Sequence, residues 1–167
     1  MFFAVYLVVL WFVLGPSNPA YAVSVAAGTF ALGPAVAISP FMRRLPRWYF
    51  RVSAGERVLH LIVGIGAFAW LLDISGWNRR VAEPLRRFTG KRTGLRALED
   101  SLRRNAGAHG TCFVIHVLLA ILAMFTRHPW AGALWMLLPG VAIHLYPVLL
   151  QRSIMLRLQP LLDRAES

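Results

Sequence analysis

Residues 107–126 read GAHGTCFVIHVLLAILAMFT and residues 130–150 read WAGALWMLLPGVAIHLYPVLL, with only Arg127-His128-Pro129 between them. Each run is about 20 residues, the length at which an α-helix crosses a bilayer core. So short a connection forces the two helices side by side and antiparallel. The first helix carries His109, Cys112 and His116 at i, i+3 and i+7, hence on one face; the second carries His144. Counting outward from His128 sets position 112 opposite 144 and position 109 opposite 147. His109, Cys112 and His144 are therefore expected in one layer, nearer the helix ends than the bilayer middle. Just beyond that layer come Arg103-Arg104 on one side and Gln151-Arg152 on the other. Ionisable groups inside a membrane are costly and point to function, so this layer is the expected functional centre.

The whole chain supports a membrane reading. It has 167 residues, 57% of them hydrophobic, and a mean hydropathy of +0.57, which excludes an ordinary soluble domain. Eighteen Lys and Arg oppose seven Asp and Glu, giving a net charge of +11. All but one of the basic residues are arginine. They fall between the apolar runs, where anionic headgroups and the positive-inside rule account for them and nucleic acid is not needed. A single cysteine excludes an intramolecular disulfide and any Cys-rich metal site.

Upstream, residues 2–14 form a short aromatic-rich apolar run, closed by Gly15-Pro16-Ser17-Asn18-Pro19, a strong turn signal. The basic region of a secretory leader is missing from its start, so it is kept as part of the mature chain. Residues 20–39 are a second run of spanning length, rich in Ala and Gly, which suits close helix packing in lipid. These two runs make a first hairpin. Residues 40–57 then interleave Arg43, Arg44, Arg47, Arg51 and Arg57 with Phe41, Leu45, Trp48, Tyr49 and Phe50, the mixture found at a membrane–water interface.

Residues 58–77 are apolar but interrupted by His60, Gly64, Gly66 and Asp73. Were this run to span, the arginines on its two sides would face opposite compartments, so a re-entrant or interfacial helix is expected. Residues 78–105 carry nine basic and three acidic residues, broken by Pro84 and Gly90. Within them Leu95, Leu98 and Leu102 form one helical stripe, an amphipathic helix that feeds into the second hairpin. Residues 151–162 read as another interfacial helix, followed by a polar tail.

The expected fold is all-α: a polytopic membrane protein of four transmembrane helices in two hairpins, plus re-entrant or interfacial amphipathic helices. The chain reads as one membrane domain, 1–167. Its parts are a first hairpin (1–39), an interfacial and cytoplasmic basic region (40–106), a second hairpin (107–150) and an amphipathic tail (151–167). Both termini are expected to be cytoplasmic.

A neutral imidazole at His109, about five residues or 7–8 Å along the helix from Arg104, could act as general base on a hydroxyl and then protonate a leaving thiolate. Arg104, Arg152 and Arg157 could pair with phosphates, though positive-inside topology alone also explains them. His116 and His144 on facing helices are a plausible axial pair for haem, with helix–helix hydrogen bonding as the simpler reading. No carboxylate lies in either helix of this hairpin and no H-E-x-x-H is present, so no metal site is expected. Cys112 sits among apolar residues and reads as a small structural side chain. His60 and His128 read as interfacial. There is no Gly-rich phosphate loop, no G-x-S-x-G elbow and no H-x4-D signature.

The C-terminal half resembles the glycosyl-4,4'-diaponeurosporenoate acyltransferase family, small membrane proteins linked to the final acylation of staphyloxanthin-type carotenoids. That family places R-x-E-x-x-H-W at the start of its last hairpin and closes with N-x-P, an apolar stretch and Q-R-Y-N-R-x-R-L. Here Arg104 through Gly110 match the first pattern, with His109 as its histidine. Pro147, Gln151-Arg152 and Arg157-Leu158 match the second. Upstream, Arg47-Trp48-Tyr49-Phe50, Glu56-Arg57, Val63-Gly64 and Trp70 are similar to the family's interfacial region. The chain departs from the pattern at Ala106 (glutamate), Gly110 (tryptophan) and Ser153-Ile154 (Tyr-Asn), so a carboxylate beside His109 is missing.

The resemblance implies an O-acyltransferase of the bacterial inner membrane. It would move an acyl group from acyl-CoA or a lipid donor to a hydroxyl of a glycosylated isoprenoid or carotenoid acceptor, with no cofactor. His109 would be catalytic, and Arg104, His144, Pro147, Gln151, Arg152 and Arg157 would bind substrate. The partners implied are membrane lipids and the two substrates, without nucleic acid. A rival reading is a non-catalytic accessory subunit that packs against membrane protein partners; a third is a bis-His haem protein.

Overall fold

A computed structural model describes residues 2–83 and 90–166, and the side chains of residues 43, 47, 48, 92, 165 and 166 lie outside that description. Pro84, an expected helix breaker, also falls outside it. The described residues are mostly helical, with turns and irregular loops between the helices and no strand among them. The helices are α1 (Phe2–Leu14), α2 (Pro19–Ile38), α3 (Pro40–Arg44), α4 (Arg47–Phe50), α5 (Glu56–Ile62), α6 (Ile65–Ile74), α7 (Leu95–Ala123), α8 (Pro129–Pro139) and α9 (Tyr146–Glu166). A π-helical turn, Asn78–Ala82, and a 3-10 turn, Arg92–Gly94, precede α7, and a π-helical segment, Gly140–Leu145, joins α8 to α9. Among the described residues three helical stretches are long and apolar enough to cross a membrane: Pro19–Ile38, Leu95–Ala123 and Pro129–Arg164. A fourth is counted if α5 and α6, bent by 61° about their junction, are one span. α1 is apolar but 13 residues long.

The chain sorts into two compact units, Met1–Ser39 with Ala108–Leu145, and Pro40–Gly107 with Tyr146–Ser167. In the first, α1 and α2 form the expected hairpin. Gly15 turns the chain at φ +80, Asn18 accepts the Ala20 amide at 2.9 Å, and Pro19 starts α2 where no amide donor is needed. Tyr21, Val25, Leu119 and Met136 make the core, and Trp11 packs edge-on to Tyr21 at 5.7 Å. Small residues set the spacing of the second hairpin. A Cβ on Gly132 would lie 2.8 Å from the Ala123 Cβ, and one on Gly140 would lie 2.7 Å from the His116 Cβ. In lipid, where apolar side chains gain little from leaving apolar solvent, such close backbone approach is what holds helices together.

Two boundaries differ from those expected. α7 ends at Ala123, not at residue 126, because the chain tightens into i→i+3 bonds there and the Thr126 hydroxyl donates to the Ala123 carbonyl at 2.7 Å. The second hairpin does not stop at residue 150: α9 runs on without a break to Glu166, since nothing around Leu150 interrupts a helix. The irregularity lies earlier, in the π segment. Pro139 and Pro147 bracket it, and each withdraws an amide donor from the helical ladder.

In the second unit the expected leucine stripe is a packing face. Leu95, Leu98, Leu102 and Ala106 of α7 meet Met155, Leu158 and Leu162 of α9. The 58–77 run is broken at Val63-Gly64, with Gly64 at φ +71, the geometry of a broken span or a re-entrant loop. The Tyr146 hydroxyl donates to the Val63 carbonyl at that break, at 3.0 Å. Arg152 ties the basic loop down. Its Nε and Nη2 donate to the two Glu56 carboxylate oxygens at 2.7 and 2.8 Å, Nη1 donates to the Tyr49 carbonyl at 3.0 Å and Nη2 to the Arg51 carbonyl at 2.9 Å.

Gly132→Ala is expected to lower thermal stability in detergent by about 1–3 kcal/mol through overpacking, because the atoms it meets are a helix Cβ and the Pro16 backbone. Gly33→Ala, with nothing within 4 Å of its Cβ, should leave stability unchanged or raise it by up to ~1 kcal/mol. Arg152→Gln is expected to cost about 2–3 kcal/mol, since it leaves a partly buried carboxylate without its charged partner. Limited proteolysis should then cut between residues 45 and 55 well before the rest of the chain.

Candidate functional site

The polar residues of the first unit converge on Thr29. Its Oγ1 lies 3.2 Å from His116 Nε2 and 2.9 Å from His144 Nε2. His144 Nδ1 lies 3.3 Å from His109 Nδ1. His116 Nδ1 lies 2.9 Å from the Met136 carbonyl, and the Cys112 thiol donates to the Thr29 carbonyl at 3.4 Å. The imidazoles of His109 and His144 have centroids 5.5 Å apart, and those of His116 and His144 are 5.3 Å apart. Thr29, Cys112, His116 and His144 are buried, whereas His109 is half-buried and forms the open end of the row.

This arrangement follows from the pattern on α7. His109 and His116 are the ends of one face and Cys112 is its middle. His144 comes in between them, with its ring 5.5 Å from that of His109 and 5.3 Å from that of His116. Gly140 stands opposite His116, as counting from the hairpin loop requires, and lacks the Cβ that would collide with it. The expected grouping of His109 with His144 is therefore present. His116, which counting placed a turn away, joins it through Thr29.

The hydrogen bonds assign the protons. A carbonyl only accepts, so His116 Nδ1 carries a hydrogen for Met136, and its Nε2, in the neutral ring, accepts from the Thr29 hydroxyl. With its hydrogen so used, Thr29 Oγ1 accepts from His144 Nε2. His144 Nδ1 is then bare and accepts from His109 Nδ1. His109 also hydrogen-bonds to the Ile143 backbone carbonyl, and in a neutral ring its one hydrogen, on Nδ1, is shared between that carbonyl and His144, which leaves Nε2 as the lone pair at the end of the row. The same hydroxyl also lies 2.9 and 3.1 Å from the Val25 and Ala26 carbonyls of its own helix. Directing its hydrogen there would leave two lone pairs facing each other across the 3.2 Å to His116.

Both nitrogens of His116 are used in this row, so it is a fixed link rather than a free axial ligand. Among the described residues no group of three or more His, Cys, Asp or Glu side chains is placed to hold a metal ion.

The other expected site residues belong to the second unit. Arg152 has four of its hydrogen bonds directed at Glu56, Tyr49 and Arg51. Gln151 is buried, and its Oε1 has no hydrogen-bond partner among the described residues. Arg104 and Arg157 are exposed, and Pro147 stands in the first turn of α9. Sequence reasoning missed Thr29, and it noted Glu56 only within the family-like interfacial region, not as the partner of Arg152. Thr29 had one visible signal, a hydroxyl in the middle of an Ala/Gly-rich spanning helix.

Neither a curated protein nor a solved structure gave a match to the chain. Residues 45–164 match the family model described as glycosyl-4,4'-diaponeurosporenoate acyltransferase. With most of its length in that match, the chain belongs to the glycosyl-4,4'-diaponeurosporenoate acyltransferase family.

Proposed function

We propose that this chain is a membrane-embedded O-acyltransferase in which His109 is the general base. Family membership supports an acyltransferase-type function on a carotenoid, and the long apolar helices fit a membrane protein. The finer reading is acyl transfer from a thioester or lipid donor to a hydroxyl of a glycosylated isoprenoid or carotenoid in the bacterial cell membrane. We place both termini on the cytoplasmic side, where the arginine-rich segments satisfy the positive-inside rule.

The observation that carries this reading is the row of hydrogen bonds from Met136 to His109, which leaves the lone pair at the accessible end. In the reaction His109 Nε2 takes the proton from the acceptor hydroxyl, and the oxygen attacks the donor acyl carbonyl. The tetrahedral intermediate collapses with loss of the thiolate or alkoxide, which takes the proton back from His109. An imidazolium formed at His109 keeps Nδ1–H on His144, whose bare nitrogen holds the ring and its charge in place. In the family pattern a carboxylate three residues before the histidine is available for that task; here Ala106 stands there, and His144 takes over the orientation. Arg104, Gln151 and Arg157 are assigned to substrate polar groups. Arg152, already committed to Glu56, acts by positioning the loop that carries it.

His109→Gln is expected to lower acyl transfer by about 10²–10⁴-fold, the usual worth of a positioned base, without loss of folded protein. Thr29→Val keeps the shape but breaks the row. It should lower kcat by about tenfold, corresponding to ~1.4 kcal/mol, and Thr29→Ser should restore most of it. Acyl transfer to a glycosylated carotenoid, followed by mass spectrometry, checks both. Full activity in His109→Gln would refute the catalytic reading and favour the accessory role.

A further inference from the structure

The second unit holds a cavity of about 740 Å³ whose chemistry is unlike that of the histidine row. Two arginines, Arg57 and Arg157, stand on its wall beside Ser153, His60 and Asn78. Much of the remaining wall is aliphatic, including Leu61, Ile65, Leu150, Ile154 and Leu156. No Asp or Glu is among its lining residues. Of the nearby carboxylates, Glu56 is paired with the guanidinium of Arg152, and Asp73 accepts from the Asn78 amide, a neutral donor, which leaves the two arginines in excess. Neither Arg57 nor Arg157 makes an ion pair among the described residues, so the cavity carries uncompensated positive charge.

Two polar atoms of the wall are orphaned. His60 is 7% exposed, and its Nε2 is buried with no hydrogen-bond partner among the described residues; the same holds for Asn78 Oδ1. An unmade bond at a buried polar atom costs about 1–3 kcal/mol, so such atoms mark where a ligand's polar groups complete the bonding. The Asn78 oxygen needs a donor and the arginines need an anion. The aliphatic wall needs a chain. The volume lies within the roughly 300–1,000 Å³ of pockets that enclose small ligands.

We infer that this cavity binds an anionic phospholipid. Its phosphate would sit between Arg57 and Arg157, a headgroup hydroxyl would donate to Asn78, and the start of an acyl chain would lie along Leu61, Ile65 and Leu156. Guanidinium forks match phosphate oxygens in shape and charge. A soluble phosphate compound shares the anion but has no use for the aliphatic wall, which is why the lipid is favoured. The site shares Arg157 with the substrate contacts proposed above, but it is tested by lipid binding alone, so its failure is distinguishable from a failure of the acyl-transfer reading.

The full chain in mild detergent is mixed with equal amounts of phosphatidylglycerol and phosphatidylcholine of identical chains, and native mass spectrometry reads which lipid is retained. Phosphatidylglycerol should be retained in clear preference, and Arg57→Gln/Arg157→Gln should cut that preference by about tenfold. Ala69→Trp, which fills the cavity from an apolar wall position, should do the same without changing any charge. Equal retention of both lipids by the unaltered chain would overturn the assignment, as would displacement of the lipid by millimolar inorganic phosphate or coenzyme A. Should these variants fail to fold, photo-crosslinking of the unaltered chain with a diazirine phosphatidylglycerol decides. Adducts on residues 57–69 or 150–160 support the site, and adducts confined elsewhere refute it.

Discussion

A hydroxyl on α2 governs the polar interior of the first unit. Thr29 Oγ1 is within hydrogen-bond reach of two imidazoles from two other helical elements, and all three groups are buried, so none can turn to water instead. Because the Met136 carbonyl can only accept, one choice of proton positions places a hydrogen in each contact between Thr29 and the three rings, with the Val25 and Ala26 carbonyls competing for the hydroxyl hydrogen. The three rings are thereby held as neutral tautomers in defined orientations. The same logic explains the glycine beside the row: Gly140 brings the π segment against His116. The hydrogen bonds fix the separation here.

The second unit solves a different problem with charge. The end of α4 and the loop that follows it to α5 offer carbonyls that no helix uses. Arg152 gathers two of those carbonyls and one carboxylate into a single planar fork. A lysine could not reproduce this, having one point of attachment rather than five directed donors. The consequence is that Glu56, the carboxylate at the start of α5, is neutralised within its own loop. Positive charge is left to dominate the wall formed by Arg57 and Arg157.

What the sequence made legible was whatever repeats along one helix. Run lengths gave the hairpins, the i, i+3, i+7 spacing gave the histidine face, and the leucines at 95, 98 and 102 gave the stripe that meets α9. What it hid was pairing between elements. Thr29 and His144 are 115 residues apart and Glu56 and Arg152 are 96 apart, and no periodicity connects them. The π segment was hidden for another reason. Pro139 and Pro147 are each tolerable in a helix end, and only together do they remove enough donors for the ladder to slip.

Ala106 shows how the two levels meet. Read as a motif position it is a loss, since a carboxylate next to His109 would orient the ring. In the structure it is 3% exposed and continues the leucine stripe of α7 against Met155 and Leu158. A carboxylate at that point would be taken out of water into an aliphatic interface, at several kcal/mol unless a cation met it there. An alanine costs nothing, provided something else fixes His109, and His144 Nδ1 stands 3.3 Å from its ring nitrogen to do so. At this position the stripe packs without a buried charge, and the ring partner of His109 comes from another element, at His144.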